Sequence, residues 1–82
     1  MSDWHFSAPV RLCFGPASER TVTNAWEAIE VLRRDWPGQR DRWYQLALHA
    51  CQDAIDGFRP GRIARKALVR AARMAGFRVT ST

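Results

Sequence analysis

Residues 36–57 read WPGQRDRWYQLALHACQDAIDG, and this stretch decides the fold of the chain. At about 100° per residue, the apolar side chains between Gln39 and Asp56 cover more than half of a helical cylinder. They are Trp43, Tyr44, Leu46, Ala47, Leu48, Ala50, Cys51, Ala54 and Ile55. A helix with so wide an apolar surface must lie between two partners, so the stretch predicts a central core helix. It is expected to start at the Pro37-Gly38 turn and to end at Gly57, which tolerates a left-handed backbone.

A β-hairpin is predicted before this helix. After Pro9, apolar residues alternate with other residues, which is typical of a strand with one buried face; they are Val10, Leu12 and Phe14. Pro9 suits the start of a strand because its missing N–H breaks no ladder hydrogen bond there. Residues 15–19 are turn formers, and residues 20–22 can return as the antiparallel partner. Residues 1–8 have no decisive pattern and are treated as a loosely ordered N-terminal end.

A first helix is predicted between the hairpin and the central helix. Asn24 and Glu27 have the spacing of a capping box, in which the Asn side chain accepts an N–H of the first turn and the Glu side chain accepts the N–H of the cap. The helix is expected to run to about Asp35, because Pro37 pushes the preceding residue away from helical angles. Its inner face is expected to hold Ala28, Ile29, Val31, Leu32 and Trp36.

A third helix is predicted from about Arg62 to Ala75, with Gly76 as its end. Its inner face is rich in alanine, which predicts close backbone packing against a neighbour; the face holds Ile63, Ala64, Ala67, Leu68, Ala71, Met74 and Ala75. Residues 77–80 are consistent with a third strand beside the hairpin. The sequence therefore predicts a single small α+β domain over residues 1–82, in which an N-terminal hairpin and a C-terminal strand pack on three helices, the middle one central.

Charge is distributed unevenly along the chain. Residues 1–58 carry six Arg and eight Asp or Glu, a net −2, whereas residues 59–82 carry six Arg, one Lys and no acid, a net +7. Five of these cations fall on the outer face or the flanks of the third helix: Arg62, Arg65, Lys66, Arg70 and Arg73. They are the candidate binding residues, either for an acidic protein surface or for the phosphates of a nucleic acid.

Other interpretations of these five cations are open. They could form a solvated face, with some arginines paired to the acids Glu27, Glu30, Asp53 and Asp56 of the neighbouring helices. Arg65, at the margin of the face, could instead tie the third helix to an acid of the second. A basic helix after a short Gly-containing connection also fits a helix-turn-helix, but the central helix is too long and too apolar for that motif, and the basic helix has no Asn or Gln to read an adenine edge.

The sequence has no arrangement typical of catalysis, cofactor binding or metal binding. His49 and Cys51 are two residues apart and cannot face each other on a helix, and neither the cysteines nor the histidines have metal-ligand spacing. No phosphate-binding Gly-rich loop, signal peptide or apolar run of about 18 residues is present. We therefore expect a cytoplasmic protein that is not an enzyme, has no cofactor or metal and does not bind membranes, and in which Cys13 and Cys51 are reduced thiols.

Several short motifs follow one another along the chain: Pro9-Val10, Glu27-Ala28, Trp36-Pro37, Ala47, Ala50-Cys51, Gly57, Ala64-Arg65, Ala67, Ala71-Ala72 and Ala75-Gly76. With this layout the chain resembles a family of small bacterial proteins called domain of unknown function 982, from about Pro9 to Val79. Leu68 stands where the family is expected to have phenylalanine, a difference that concerns packing. The resemblance implies a small α+β fold and no established activity.

Two hypotheses for function follow. The first is an interaction module, homodimeric in one version, whose cationic third helix contacts an acidic partner. The second is nucleic-acid binding by the same helix. The tryptophans Trp26, Trp36 and Trp43 are expected in the core or at its rim, and alternatively Trp4 and one of these three cover a patch for self-association.

Overall fold

The computed structural model describes residues 4–81 of the chain. Three strands form one antiparallel sheet in the order β2-β1-β3, with β1 at His5–Gly15, β2 at Ser18–Asn24 and β3 at Arg78–Ser81. Val10 and Leu12 on β1 are fully buried, as is Val22, the partner of Val10 on β2. The predicted hairpin and the predicted C-terminal strand are both confirmed.

The first strand begins earlier than its pattern predicted. His5 pairs with Asn24 and Val10 pairs with Val22, so four residues of β1 lie opposite a single residue of β2. Pro9 therefore lies in an irregular part of the strand, not at its start, and its missing N–H costs no ladder hydrogen bond there. Residues 1–3, part of the expected loose N-terminal end, lie outside the described residues, whereas residues 5–8 belong to β1.

The first helix combines an α-helical and a π-helical part. Helix α1 spans Ala25–Glu30 and continues as a π-helical turn over Val31–Asp35. The side chain of Asn24 accepts a hydrogen bond from the backbone N–H of Glu27 at 2.9 Å, as predicted. The Glu27 carboxylate accepts the N–H of Thr23 at 2.7 Å, however, so it reaches one residue further back than the expected cap N–H.

The second helix, α2, spans Arg42–Ile55 and starts later than predicted. Asp41 sets its start, because the Asp41 carboxylate accepts the N–H groups of Trp43 and Tyr44 at 3.1 and 3.2 Å. The end is as predicted, since Gly57 has a φ of 82° and closes the helix in the left-handed region. The residues between Trp36 and Asp41 form an irregular connection.

Helix α2 packs against both α1 and α3, while α1 and α3 contact the sheet directly. Its buried residues are Tyr44, Ala47, Ala50, Cys51 and Ala54. Leu46, expected inside, is 49% exposed, because the two partner helices cover a narrower sector of α2 than its apolar pattern suggested.

The third helix, α3, spans Gly61–Met74 and buries Gly61, Ala64, Leu68, Ala71 and Ala72. Met74 and Ala75 were expected inside, but both are exposed. The chain turns away at Gly76, with a φ of 87°, and the N–H of Phe77 bonds to the carbonyl of Ala72 at 2.9 Å. Phe77 then fills the space beside the sheet, with its ring centroid 4.9 Å from that of Phe14.

Candidate functional site

The outer face of α3 carries the cations that the sequence predicted as binding residues. Arg62, Lys66, Arg70 and Arg73 are exposed, and Arg65 is half-buried. The side chains of the four exposed cations lie on the opposite side from the buried row of Ala64, Leu68, Ala71 and Ala72, and Arg65 lies at the margin of that row. Packing of the small alanine side chains against the sheet and α2 therefore fixes the direction in which the cations point.

All five cations line one groove of about 820 Å³ beside α3. The other lining residues are Ser7 of β1, Val79 of β3, and Ile63, Val69 and Met74 of α3. We call this site the cationic groove. It combines five positive charges with four apolar side chains, and within residues 4–81 no Asp or Glu lines it.

Among the described residues, four of the five cations of the groove have no ion-pair partner. Within residues 4–81 the ion pairs join Arg11 to Glu19, Arg20 to Asp35, Arg34 to Glu30 and Arg59 to Asp53, at 3.1 to 3.3 Å. None of these pairs includes Arg62, Lys66, Arg70 or Arg73. The interpretation in which some arginines pair with acids of the neighbouring helices holds for Arg59, which pairs with Asp53 of α2. It does not extend to these four cations, which form a solvated face in the described part of the chain.

Arg65 connects α3 to the sheet. Its Nε atom donates a hydrogen bond to the backbone carbonyl of Ala8 on β1, at 2.9 Å. The sequence had suggested a tie to an acid of the second helix, so the connection exists but runs to a different element. This bond holds the guanidinium of Arg65 at the border of the cationic groove, next to Ser7.

Arg70 is positioned by an aromatic ring. Its guanidinium carbon lies 5.5 Å from the centroid of the half-buried Trp43 ring of α2, and Arg42 approaches the same ring at 5.1 Å. Cation–π contacts of this kind orient a guanidinium without neutralising its charge. Trp43 therefore lies at the rim of the core, as expected, and there it supports one side of the cationic groove.

The apolar part of the groove was not predicted. Ile63 was expected in the core, yet it is half-buried and lines the groove, as do Val69 and Val79. One signal was present in the sequence, because Val69 lies three residues after Lys66 and four before Arg73, on the same helical face. The contribution of Ser7 and Val79 depends on how the strands pair, which the local pattern does not specify.

Outside the groove, the chemical groups of interest are the two cysteines and the side chains that could bind a metal ion. Both cysteines are free thiols; Cys51 is buried, and burial raises its pKa to about 12. Among the described residues, no group of three or more His, Cys, Asp or Glu side chains could hold a metal ion. In the same part of the chain, no helix has the length and apolar character needed to cross a bilayer.

A family model described as protein of unknown function, DUF982, matches residues 8–79, which is most of the chain. The chain belongs to the DUF982 family. The resemblance expected from the sequence motifs is thus confirmed, over nearly the same residues. No curated protein and no solved structure matches the chain. The DUF982 match covers every cationic residue of the groove, so the groove lies within the family domain.

Proposed function

We propose that this DUF982 protein is a non-enzymatic interaction module that holds an acidic protein partner in the cationic groove. The observation that carries the proposal is that Arg62, Arg65, Lys66, Arg70 and Arg73 all line one groove, and that no acid among the described residues lines it. Concentrated charge of one sign raises the association rate and the selectivity for a partner of opposite sign. Five separate exposed cations would be ordinary on a surface, but their convergence on one groove favours binding.

The apolar side chains of the groove favour a protein partner over a nucleic acid. Ile63, Val69, Met74 and Val79 provide apolar surface between the charges, and Met74 is 56% exposed. A peptide can offer acidic and apolar side chains together, whereas a nucleic acid backbone offers phosphates and sugars. Among the lining residues there is also no Asn or Gln that could read an adenine edge.

Nucleic-acid binding remains the alternative, and the spacing of the cations is its support. From Arg62 to Arg73 the helix rises about 16 Å at ~1.5 Å per residue. A row of exposed cations of that length can neutralise several phosphates of one strand. Such binding would be strongest at low salt, so an absence of DNA and RNA binding at about 50 mM salt would eliminate this alternative.

The proposal is tested by neutralising the groove. We compare the triple variant R62Q, K66Q and R73Q with the control R11Q, R33Q and R34Q, which removes the same charge from exposed positions elsewhere. The probe is a fluorescent octapeptide of alternating Glu and Val, and a DNA duplex and a single-stranded RNA serve as competitors. The groove variant is expected to lose about tenfold or more in affinity for the octapeptide, and the control less than about threefold. Equal losses in both variants, or no binding of the octapeptide to the wild type, would contradict the proposal.

We also propose that the protein is located in the cytoplasm. We further propose that it self-associates. Trp26, expected in the core or at its rim, is 53% exposed, and its ring lies edge-on to Trp4 with centroids 6.3 Å apart. Exposed aromatic residues are enriched at interface centres, which supports a homodimer through this patch. Sedimentation equilibrium is expected to give a dimer for the wild type and a monomer for Trp26→Ser, and a monomeric wild type would exclude the dimer.

A further inference from the structure

The edge of the sheet next to the cationic groove has no partner strand. In the strand order β2-β1-β3, β3 pairs with β1 on one side, and no strand in the described part of the chain pairs with its other side. Alternate residues of a strand direct their N–H and C=O groups to the same side. Two of the four residues of Arg78–Ser81 therefore offer main-chain groups to an added strand.

The groove lies where the side chains of such an added strand would point. Val79 is opposite the fully buried Leu12 in the β1–β3 ladder, so its side chain is on the helix face of the sheet. Val79 also lines the cationic groove together with Val69 and Met74 of α3. A fourth strand beside β3 would continue this face, and every second side chain would project toward the side of α3 that borders the groove.

The spacing of the cations matches an extended chain. Arg62, Lys66 and Arg70 follow one another at four-residue intervals, which is about 6 Å along a helix. Side chains on the same face of a strand repeat at about 6.6 Å. Where an extended segment lies along α3, acids at every second position would therefore meet successive cations.

We propose that the partner contributes an extended acidic segment that adds to β3 as a fourth strand and places alternate carboxylates on the cations of α3. This inference rests on the proposed function and specifies its partner. Main-chain hydrogen bonds to β3 hold the segment, and the charges of the groove select its acidic side chains. Because β3 is short, the charges supply a large part of the affinity, and binding weakens as salt rises.

A second copy of this chain fits the same edge poorly. Pairing β3 with β3 of another copy would bring the two sets of α3 cations, which lie on the same face of the joined sheet, toward each other. Repulsion between like charges makes such an arrangement unfavourable. The charge of the groove therefore selects a foreign acidic segment over self-pairing.

The experiment uses the full chain and the alternating Glu-Val octapeptide in two N-methylated forms, one methylated at every Glu and the other at every Val. In a strand, the N–H groups of alternate residues face the same neighbour, so only one of the two forms blocks the bonds to β3. We expect one form to lose about tenfold or more in affinity while the other stays within about threefold of the parent peptide. A glutamate-rich helical peptide of equal charge is expected to bind more weakly than the parent.

The outcomes separate this inference from the proposed function. If both methylated forms bind as well as the parent, and binding still depends on Arg62, Lys66 and Arg73, then strand addition is wrong and acidic-partner binding stands. If binding does not depend on these cations, both proposals fail. Preferential binding of the DNA duplex over the octapeptide would overturn the choice of a protein partner.

Discussion

Tyr44 illustrates at the residue scale how one side chain completes the fold. Its hydroxyl donates a hydrogen bond to the backbone carbonyl of Leu32, at 2.9 Å, inside the core. Leu32 lies in the π-helical turn, and Pro37, five residues later, has no N–H to continue that pattern. The Tyr44 hydroxyl therefore satisfies a buried carbonyl that the proline leaves without its regular donor.

Replacing Tyr44 by phenylalanine is expected to destabilise the protein by about 1–2 kcal/mol, because the Leu32 carbonyl stays buried without this donor. Urea unfolding followed by tryptophan fluorescence measures the change. A loss below about 0.3 kcal/mol would show that another donor replaces the hydroxyl.

Glu27 gives the fold a dependence on pH. The side-chain hydroxyl of Thr23, and then its backbone N–H, hold the pKa of the Glu27 carboxyl below its ordinary value of 4.5. A lowered pKa in the folded state means that the stabilisation is complete above the unfolded pKa and is lost as pH falls through the folded one. The capping interaction therefore stabilises the fold at neutral pH, and this stabilisation is lost in acid.

The variant Glu27→Gln is expected to be less stable than the wild type at neutral pH, because its amide accepts the Thr23 bonds without a charge. The difference in unfolding free energy should stay constant down to about pH 5.5 and shrink below pH 4.5, where the wild-type carboxyl becomes protonated. Thermal unfolding across this range measures it. A difference that stays constant at low pH would contradict the assigned cause.

At the scale of elements, the helix ends were easier to predict than the helix starts. Gly57 and Gly76 both have positive φ and close α2 and α3, as their positions after apolar runs indicated. The start of α2 was missed because Pro37-Gly38 gave a stronger turn signal than Asp41, which is the actual cap. When two possible caps lie a few residues apart, tertiary contacts determine at which one the helix begins. One such contact near the start of α2 is the hydrogen bond from Arg40 to the backbone carbonyl of Arg33, at 3.1 Å.

A substitution at Gly76 tests the role of the left-handed turn that ends α3. The space around a Cβ at this position is empty, so the substitution Gly76→Ala introduces only the strain of a φ of 87°. We expect a loss of about 1–2 kcal/mol. Gly15→Ala is the control, since its Cβ also meets nothing within 4 Å and no positive φ is required there. Similar effects of both variants in urea unfolding would show that the left-handed turn does not account for the loss.

At the scale of the whole molecule, the sequence predicted the charge of the cationic groove but not its shape. The concentration of cations after Arg59 and their helical spacing were enough to select the five residues of α3. The apolar side chain of Val79 joins them only because β3 folds back beside β1, and Ser7 only because β1 begins before Pro9. Such contacts between distant parts of the chain have no local signal.

We propose the cationic groove beside α3 as the face on which this protein binds an acidic partner. Titration of the ¹⁵N-labelled protein with the alternating Glu-Val octapeptide, followed by amide chemical shifts, tests it most directly. We expect the largest shifts on α3 between Arg62 and Met74 and on β3. Shifts centred on the separate pocket lined by Trp26 and Ile29, or an absence of shifts at about 50 mM salt, would contradict binding in the groove.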